Sequence, residues 1–405
     1  PLLPLASWKL NLMLILPFLV LFFRLLDGFR PTIARSTLYC LVLPELLMAA
    51  LQVISLLWNG RDNFMRGYSF LQTTSMCAAV LSGVWLTSGL PHLSRLRLAR
   101  GVTILVAFVV AVYMGLSFVF PAWRPSSAWV DWTTGSLGFI RVFGPLGSAT
   151  SLLFILMPAF GFAVGMVFLP GYARSFWVLI TVFFLVAILA TGSRGGVLCL
   201  AAFAFLLMLS LRMRAVMLLV AVGFFLGGLL AFTGIPQRFR QMEDTARTET
   251  YRTALRTFAA SPRNVMVGAG HGAIYSKLHD DTLRELKGRD RWYLLEARTA
   301  YGFTLRNSHS ALMRSLVETG VLGFLLFLTI PVWLLKRLLV PPARRSQGQY
   351  QTHALCTLAG CAATIPYMMF EEFLVGAVWI VFLWTLLSVV GSEGVTEDSV
   401  APGSL

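Results

Sequence analysis

Charge is what this chain has least of. Asp, Glu, Lys and Arg make up 13% of its 405 residues, where a water-soluble domain carries about 25%. The deficit is deepest on the acidic side, with 18 Asp and Glu against 33 Lys and Arg. Histidine and cysteine are sparse as well, at five each. Cys40, Cys77, Cys199, Cys356 and Cys361 all fall inside apolar runs, with neither metal-ligand spacing nor a paired framework. They are expected to be small core residues without a disulfide. His271 and His279 lack a third or fourth ligand at metal spacing, so no zinc site is expected. No nucleotide motif is visible, and no metal or other cofactor is expected. The sequence also shows no internal repeat, no low-complexity tract and no cleavable signal peptide. Pro1 stands where an initiator Met would, which leaves room for a preceding segment.

What fills the chain instead is hydrocarbon: 57% apolar residues and 13% aromatics. This composition predicts an all-α polytopic membrane protein. The net charge of +15 is then to be read by position, and no nucleic-acid partner is expected. Apolar stretches long enough to cross a bilayer, which takes about 20 residues, lie at 10–26, 37–58, 68–90, 102–120, 148–169 and 175–191. Others lie at 196–211, 215–234, 311–335, 352–370 and 373–391. Eleven spans are expected, or twelve with an unseen N-terminal helix.

Short loops set the orientation. Arg24, Arg30, Arg35, Arg95, Arg97, Arg100, Arg174, Arg212, Arg214, Lys336, Arg337, Arg344 and Arg345 all fall in alternate loops. The positive-inside rule places those loops in the cytoplasm. The opposite short loops are poorer, with Arg61, Arg66, Arg124, Arg141 and Arg194. Segment 235–310 is then external, which in a Gram-negative cell is the periplasm. The expected organisation is a first group of transmembrane helices over 1–234, a periplasmic loop over 235–310, a second helical group over 311–391, and a cytoplasmic tail over 392–405. A loop of that length usually carries function. It holds 13 basic and 8 acidic residues and reads as short helices from about Asp244 to Ala260 and from about Asp280 to Thr299, parted by Gly268-Ala269-Gly270-His271-Gly272. Trp123, Trp129 and Trp132, in the external loop 121–147, read as an interfacial belt.

The loop ends at Arg306-Asn307-Ser308-His309-Ser310-Ala311-Leu312, where a basic segment runs into an apolar helix. Asn307 or Ser308 can cap that helix, which would leave His309 in its first turn. A helix N-terminus disfavours an imidazolium and offers N–H groups to an anion, a setting for a neutral base beside a phosphate. The plainer account is an interfacial His opening a transmembrane helix, with Arg314 and Glu318 as an ordinary i,i+4 pair. Relative to His309, Leu312 lies three residues on, Glu318 nine, Gly320 eleven and Gly323 fourteen. This spacing resembles the signature of the O-antigen ligase and O-antigen polymerase family, with Ser310 where that family usually has Asn.

Three further blocks add to the resemblance. Thr191-Gly192-Ser193-Arg194-Gly195-Gly196 ends the sixth expected span. Its plainer account is an arginine that snorkels and suits a helix C-terminus. Its Ser-Arg-Gly triplet is similar to a family motif whose arginine contacts the diphosphate of a lipid-linked donor. Arg247-Thr248-Glu249-Thr250-Tyr251-Arg252, followed by the Gly-Ala-Gly turn, is similar to a second block, with Tyr251 where Trp is commoner and an unexpected His271. On a helix Arg252 and Arg256 share a face, suited to a diphosphate or equally to solvent and lipid headgroups. Arg141-Val142-Phe143-Gly144 resembles a fourth position, more weakly. Glu371 and Glu372 form the rival candidate for a base.

The resemblance implies a GT-C-like glycosyltransferase in the bacterial inner membrane with its active site facing the periplasm. It implies an undecaprenyl-diphosphate-linked glycan as donor, lipid A–core as acceptor, and an inverting, metal-independent transfer. In that reading His309 is the base, and Arg194, Arg247, Arg252 and Arg141 bind the donor. The same-family alternative is an O-antigen polymerase, whose acceptor is a second lipid-linked glycan. An alternative from a different class is a lipid-linked glycan flippase or transporter. That would place charge at mid-span, where this sequence has almost none.

Overall fold

Ten helices account for nearly all the residues that the computed structural model describes: 42–59, 92–119, 149–211, 245–270, 310–339, 349–368 and 386–387. No strand occurs among the described residues. The helices are α1 (Leu43–Asn59), α2 (His92–Val119), α3 (Ala149–Phe168), α4 (Arg174–Ala190), α5 (Arg194–Leu211), α6 (Thr245–Ala259), α7 (Pro262–Val267), α8 (Ala311–Leu339), α9 (Gln349–Ala362) and α10 (Ile365–Met368). Two of them, α2 through Leu93–Leu116 and α8, are long and apolar enough to cross a membrane. The expected spans at 10–26, 68–90 and 215–234, most of 373–391, and the expected loop helix near 280–299 lie outside the described residues.

The chain divides into two compact units. The second unit comprises 86–240, 333–367 and 382–405, and α3 is its centre. Leu152, Leu153, Leu156, Met157, Phe162, Ala163 and Met166 of α3 are each at most 1% exposed. A helix apolar on every side is stable only when surrounded. Here α9, α4, α5 and α2 all pack on it. The closest neighbour is α9. Gly161 lies against Gly360, Gly165 against His353, and Phe154 against Tyr367 with ring centroids 5.1 Å apart, so α3 and α9 run antiparallel. Small residues at 161, 165, 356 and 360 let the two backbones approach, the device that joins helices where hydrophobic drive is weak.

Apolar side chains fill the interior of the unit and also cover much of its exterior. Thr103, Thr357 and Thr364 are fully buried, and each donates its hydroxyl to a carbonyl of its own helix or turn, at 2.7–2.9 Å. Leu105 and Phe108 of α2, Leu179 and Val186 of α4, and Phe205 and Leu209 of α5 stand exposed. An apolar exterior of that extent suits hydrocarbon as its solvent.

Basic residues collect at one end of this unit. Arg100 lies over the ring of Tyr172 at 4.4 Å, which brings the start of α2, with Arg95 and Arg97, to the α3–α4 turn beside Arg174. α5 runs parallel to α3, with Gly196 near Leu153 and Phe203 against Phe160. The Ser210 hydroxyl near its end reaches the carbonyl of Leu338 at 3.4 Å. Lys336 and Arg337 of α8 therefore share that end. Arg194 starts α5 and belongs to the opposite one.

The first unit comprises 1–85, 241–332 and 368–381. Its described parts are α1, α6, α7 and most of α8. Ala254 of α6 and Val317 of α8 are both fully buried and form a small core with Phe258, Ala269 and Met313.

Candidate functional site

The Arg194 turn is built by its own side chains. α4 ends at Ala190, and the Thr191 hydroxyl donates to the carbonyl of Ile188 at 2.7 Å while accepting from the Ser193 N–H at 3.3 Å. Gly192 takes φ 56°, the left-handed conformation that closes a helix, and donates to the carbonyl of Leu189 at 2.9 Å. The Ser193 hydroxyl then accepts from the Gly195 N–H at 3.2 Å and caps α5. Arg194 is therefore the first residue of α5. A cation at a helix N-terminus adds to the positive end of the helix dipole instead of offsetting it.

In the first unit the geometry centres on a strap. Ser261 caps α7, accepting from the Asn264 N–H at 3.1 Å, with Pro262 at the first helical position, where its missing N–H is no loss. The Asn264 side chain donates to the Thr257 carbonyl at 2.9 Å, tying α7 back to α6. Gly268, at φ 84°, ends α7, and the chain runs on through Ala269 and Gly270 across α8.

The crossing coincides with a break in α8. Gly320 has φ 67° and ψ −169°, outside helical geometry. A break releases carbonyls of the preceding turn from their i+4 partners. The strap supplies donors: Ala269 N–H to the Val317 carbonyl at 2.8 Å, and Gly270 N–H to the Glu318 carbonyl at 3.2 Å. Both flanking residues must be glycine. A Cβ on Gly268 would run into the Glu318 main chain, and one on Gly320 would lie 2.6 Å from Gly268 N. The Gly-Ala-Gly turn and the glycine eleven residues beyond His309 are thus two faces of one joint.

The helix that begins beside His309 is capped at Ser310, whose hydroxyl accepts from the Met313 N–H at 3.1 Å. α8 starts at Ala311. The cap is therefore Ser310 rather than Asn307 or Ser308. His309 itself lies outside the described residues, as do Arg141, Glu371 and Glu372. Arg314 and Glu318 do form the i,i+4 pair, Nε to Oε2 at 3.1 Å. It is not a surface pair, because Glu318 is 1% exposed. A carboxylate buried this deeply has to be ion-paired and hydrogen-bonded to be stable.

Arg252 and Arg256 are exposed on α6, opposite Ala254, which faces α8. Arg247 lies in the first turns of the same helix. The structure thus joins the α6 block, the strap and the start of α8 within one unit, while Arg194 belongs to the other. Sequence reasoning missed Tyr367, which packs against Gly195. Its signal was a lone tyrosine in Thr364-Ile365-Pro366-Tyr367, just before the Glu371-Glu372 turn.

No curated protein matches the chain. Residues 179–328 match a family model described as O-antigen ligase. That stretch begins in α4 and takes in the Arg194 turn, α6, the strap and the break in α8. Over residues 179–328 the chain is similar to the O-antigen ligase family.

Proposed function

We propose that the protein is an O-antigen ligase: a multi-pass glycosyltransferase of the bacterial inner membrane that works on the periplasmic face. Its donor is a glycan on undecaprenyl diphosphate and its acceptor a sugar hydroxyl of lipid A–core. The observation that carries the reading is the family match, which contains in one stretch the Arg194 turn, the arginines of α6 and the strap-bound start of α8. The segregation of Arg95, Arg97, Arg100, Arg174, Lys336 and Arg337 to the end of the second unit away from Arg194 supports the orientation. The apolar exterior of that unit supports the membrane location.

His309 takes the proton of the acceptor hydroxyl as its oxygen attacks the anomeric carbon. The bond from that carbon to the diphosphate oxygen breaks, and its electron pair leaves with undecaprenyl diphosphate. Arg194, with Arg247 or Arg252 and with Arg141 in support, binds the diphosphate and stabilises the charge that grows on it. Displacement in one step inverts the anomeric configuration. The donor carries its own leaving group, so no metal enters the scheme.

Reconstitution of the purified chain with lipid-linked glycan, lipid A–core and excess chelator tests this directly. Glycan on lipid A–core is the expected product. Elongated lipid-linked glycan would make the protein a polymerase of the same family, and activity restored only by a divalent ion would overturn the metal-free scheme.

A further inference from the structure

The residue after Arg194 is held by a ring from a distant part of the chain. A Cβ built on Gly195 would run into Cε2 and Cδ2 of Tyr367 and lie 2.9 Å from its Cζ. Tyr367 is 2% exposed, and its ring also meets Phe154 of α3 at 5.1 Å. It comes from α10, a single turn set off from α9 by Ala363 and Thr364. Thr364 is fully buried, donates its hydroxyl to the Cys361 carbonyl at 2.7 Å and accepts the Tyr367 N–H at 3.1 Å. The ring is therefore carried on a fixed turn.

The first turn of α5 needs such support. Gly195 and Gly196 stand side by side there, and each glycine disfavours a helix by about 1 kcal/mol relative to alanine. Neighbours press on both: Tyr367 on Gly195, and Ile188 with Leu153 on Gly196. Two glycines at a helix start, each covered by side chains from other helices, amount to a backbone held from outside. Guanidinium recognition of a diphosphate is directional, so the segment that carries the fork has to be rigid.

The geometry points to Tyr367 as a positioning residue for Arg194: its ring occupies the space a side chain at 195 would take and so fixes the turn from which Arg194 engages the donor diphosphate. The inference rests on the reading of Arg194 as a donor-binding group.

The test uses the full chain in lipid nanodiscs, with undecaprenyl-diphosphate-linked glycan as the probe. Arg194→Ala should weaken donor binding by roughly 10- to 100-fold, the worth of a charged hydrogen bond. Tyr367→Leu, which removes the ring, should raise the donor KM about tenfold and leave the acceptor KM unchanged. Tyr367→Phe keeps the ring and should keep the parent donor KM. Gly195→Ala should weaken donor binding, and Gly195→Ala with Tyr367→Leu should regain part of it because the collision is gone.

A general loss of folded protein would lower kcat without moving the KM of one substrate alone. If Arg194→Ala weakens binding but Tyr367→Leu leaves the donor KM in place, the positioning role is wrong and the donor-binding reading stands. If Arg194→Ala binds donor normally, the donor-binding reading falls and takes this inference with it. Should Gly195→Ala fail to fold, the Tyr367→Leu and Tyr367→Phe pair still decides the matter.

Discussion

Gly161 of α3 and Gly360 of α9 meet main chain to main chain: a Cβ on Gly161 would lie 2.6 Å from the Gly360 Cα, and one on Gly360 2.7 Å from the Gly161 Cα. Neither helix can move away without opening a void around α3. Gly161→Ala should therefore destabilise the protein by about 1–3 kcal/mol, the usual cost of overpacking a filled core. Thermal unfolding in detergent reads the effect. An unchanged midpoint would mean that the helices are not in contact at this point.

Gly268 and Gly320 should be as intolerant, for two reasons at once. Each holds positive φ, and each faces main chain of the other segment. Gly320→Ala should cost about 1–3 kcal/mol from backbone strain alone. It should also lower ligation, because the strap is what holds the start of α8. Limited proteolysis of segment 235–310 is the direct measurement, and faster cleavage in the variant is the expected result. Parent-like proteolysis and activity together would remove the strap from the account.

For His309, the expected signature is kinetic. His309→Ala should lower turnover by roughly 100- to 10,000-fold, the range for a general base, and leave donor binding close to the parent. Arg194→Lys keeps charge but loses the planar fork, so donor affinity and turnover should fall together. Near-normal turnover in His309→Ala would take the imidazole out of the mechanism and bring Glu371 and Glu372 forward as the base.

Orientation is open to chemical labelling. A single cysteine in place of Lys287 should react with a membrane-impermeant thiol reagent from the periplasm, and one in place of Arg344 should not. The opposite pattern would invert the topology and move the whole site to the wrong face.

Where apolar runs were long and bounded by turn residues, the sequence located helices closely: 148–169 was expected and α3 covers Ala149–Phe168, and 175–191 was expected where α4 covers Arg174–Ala190. α2 begins ten residues before its expected span because Arg95, Arg97 and Arg100 interrupt the apolar run without interrupting the helix. Asn307, Ser308 and Ser310 are all good caps, so composition could not choose among them. Whether Arg194 ends α4 or starts α5 is a difference of a few residues that periodicity does not resolve. The break at Gly320 was illegible for another reason. A glycine within a helical pattern is ordinary, and only the strap arriving from Gly268 makes this one a joint.

That joint is made of main-chain groups. Ala269 and Gly270 contribute their N–H and Val317 and Glu318 their carbonyls, so the attachment responds to shape and not to side-chain identity. Meanwhile Arg252, Leu255 and Arg256 of α6 are exposed. A loop anchored in this way can exchange its outward face, residue by residue, while its mooring is untouched.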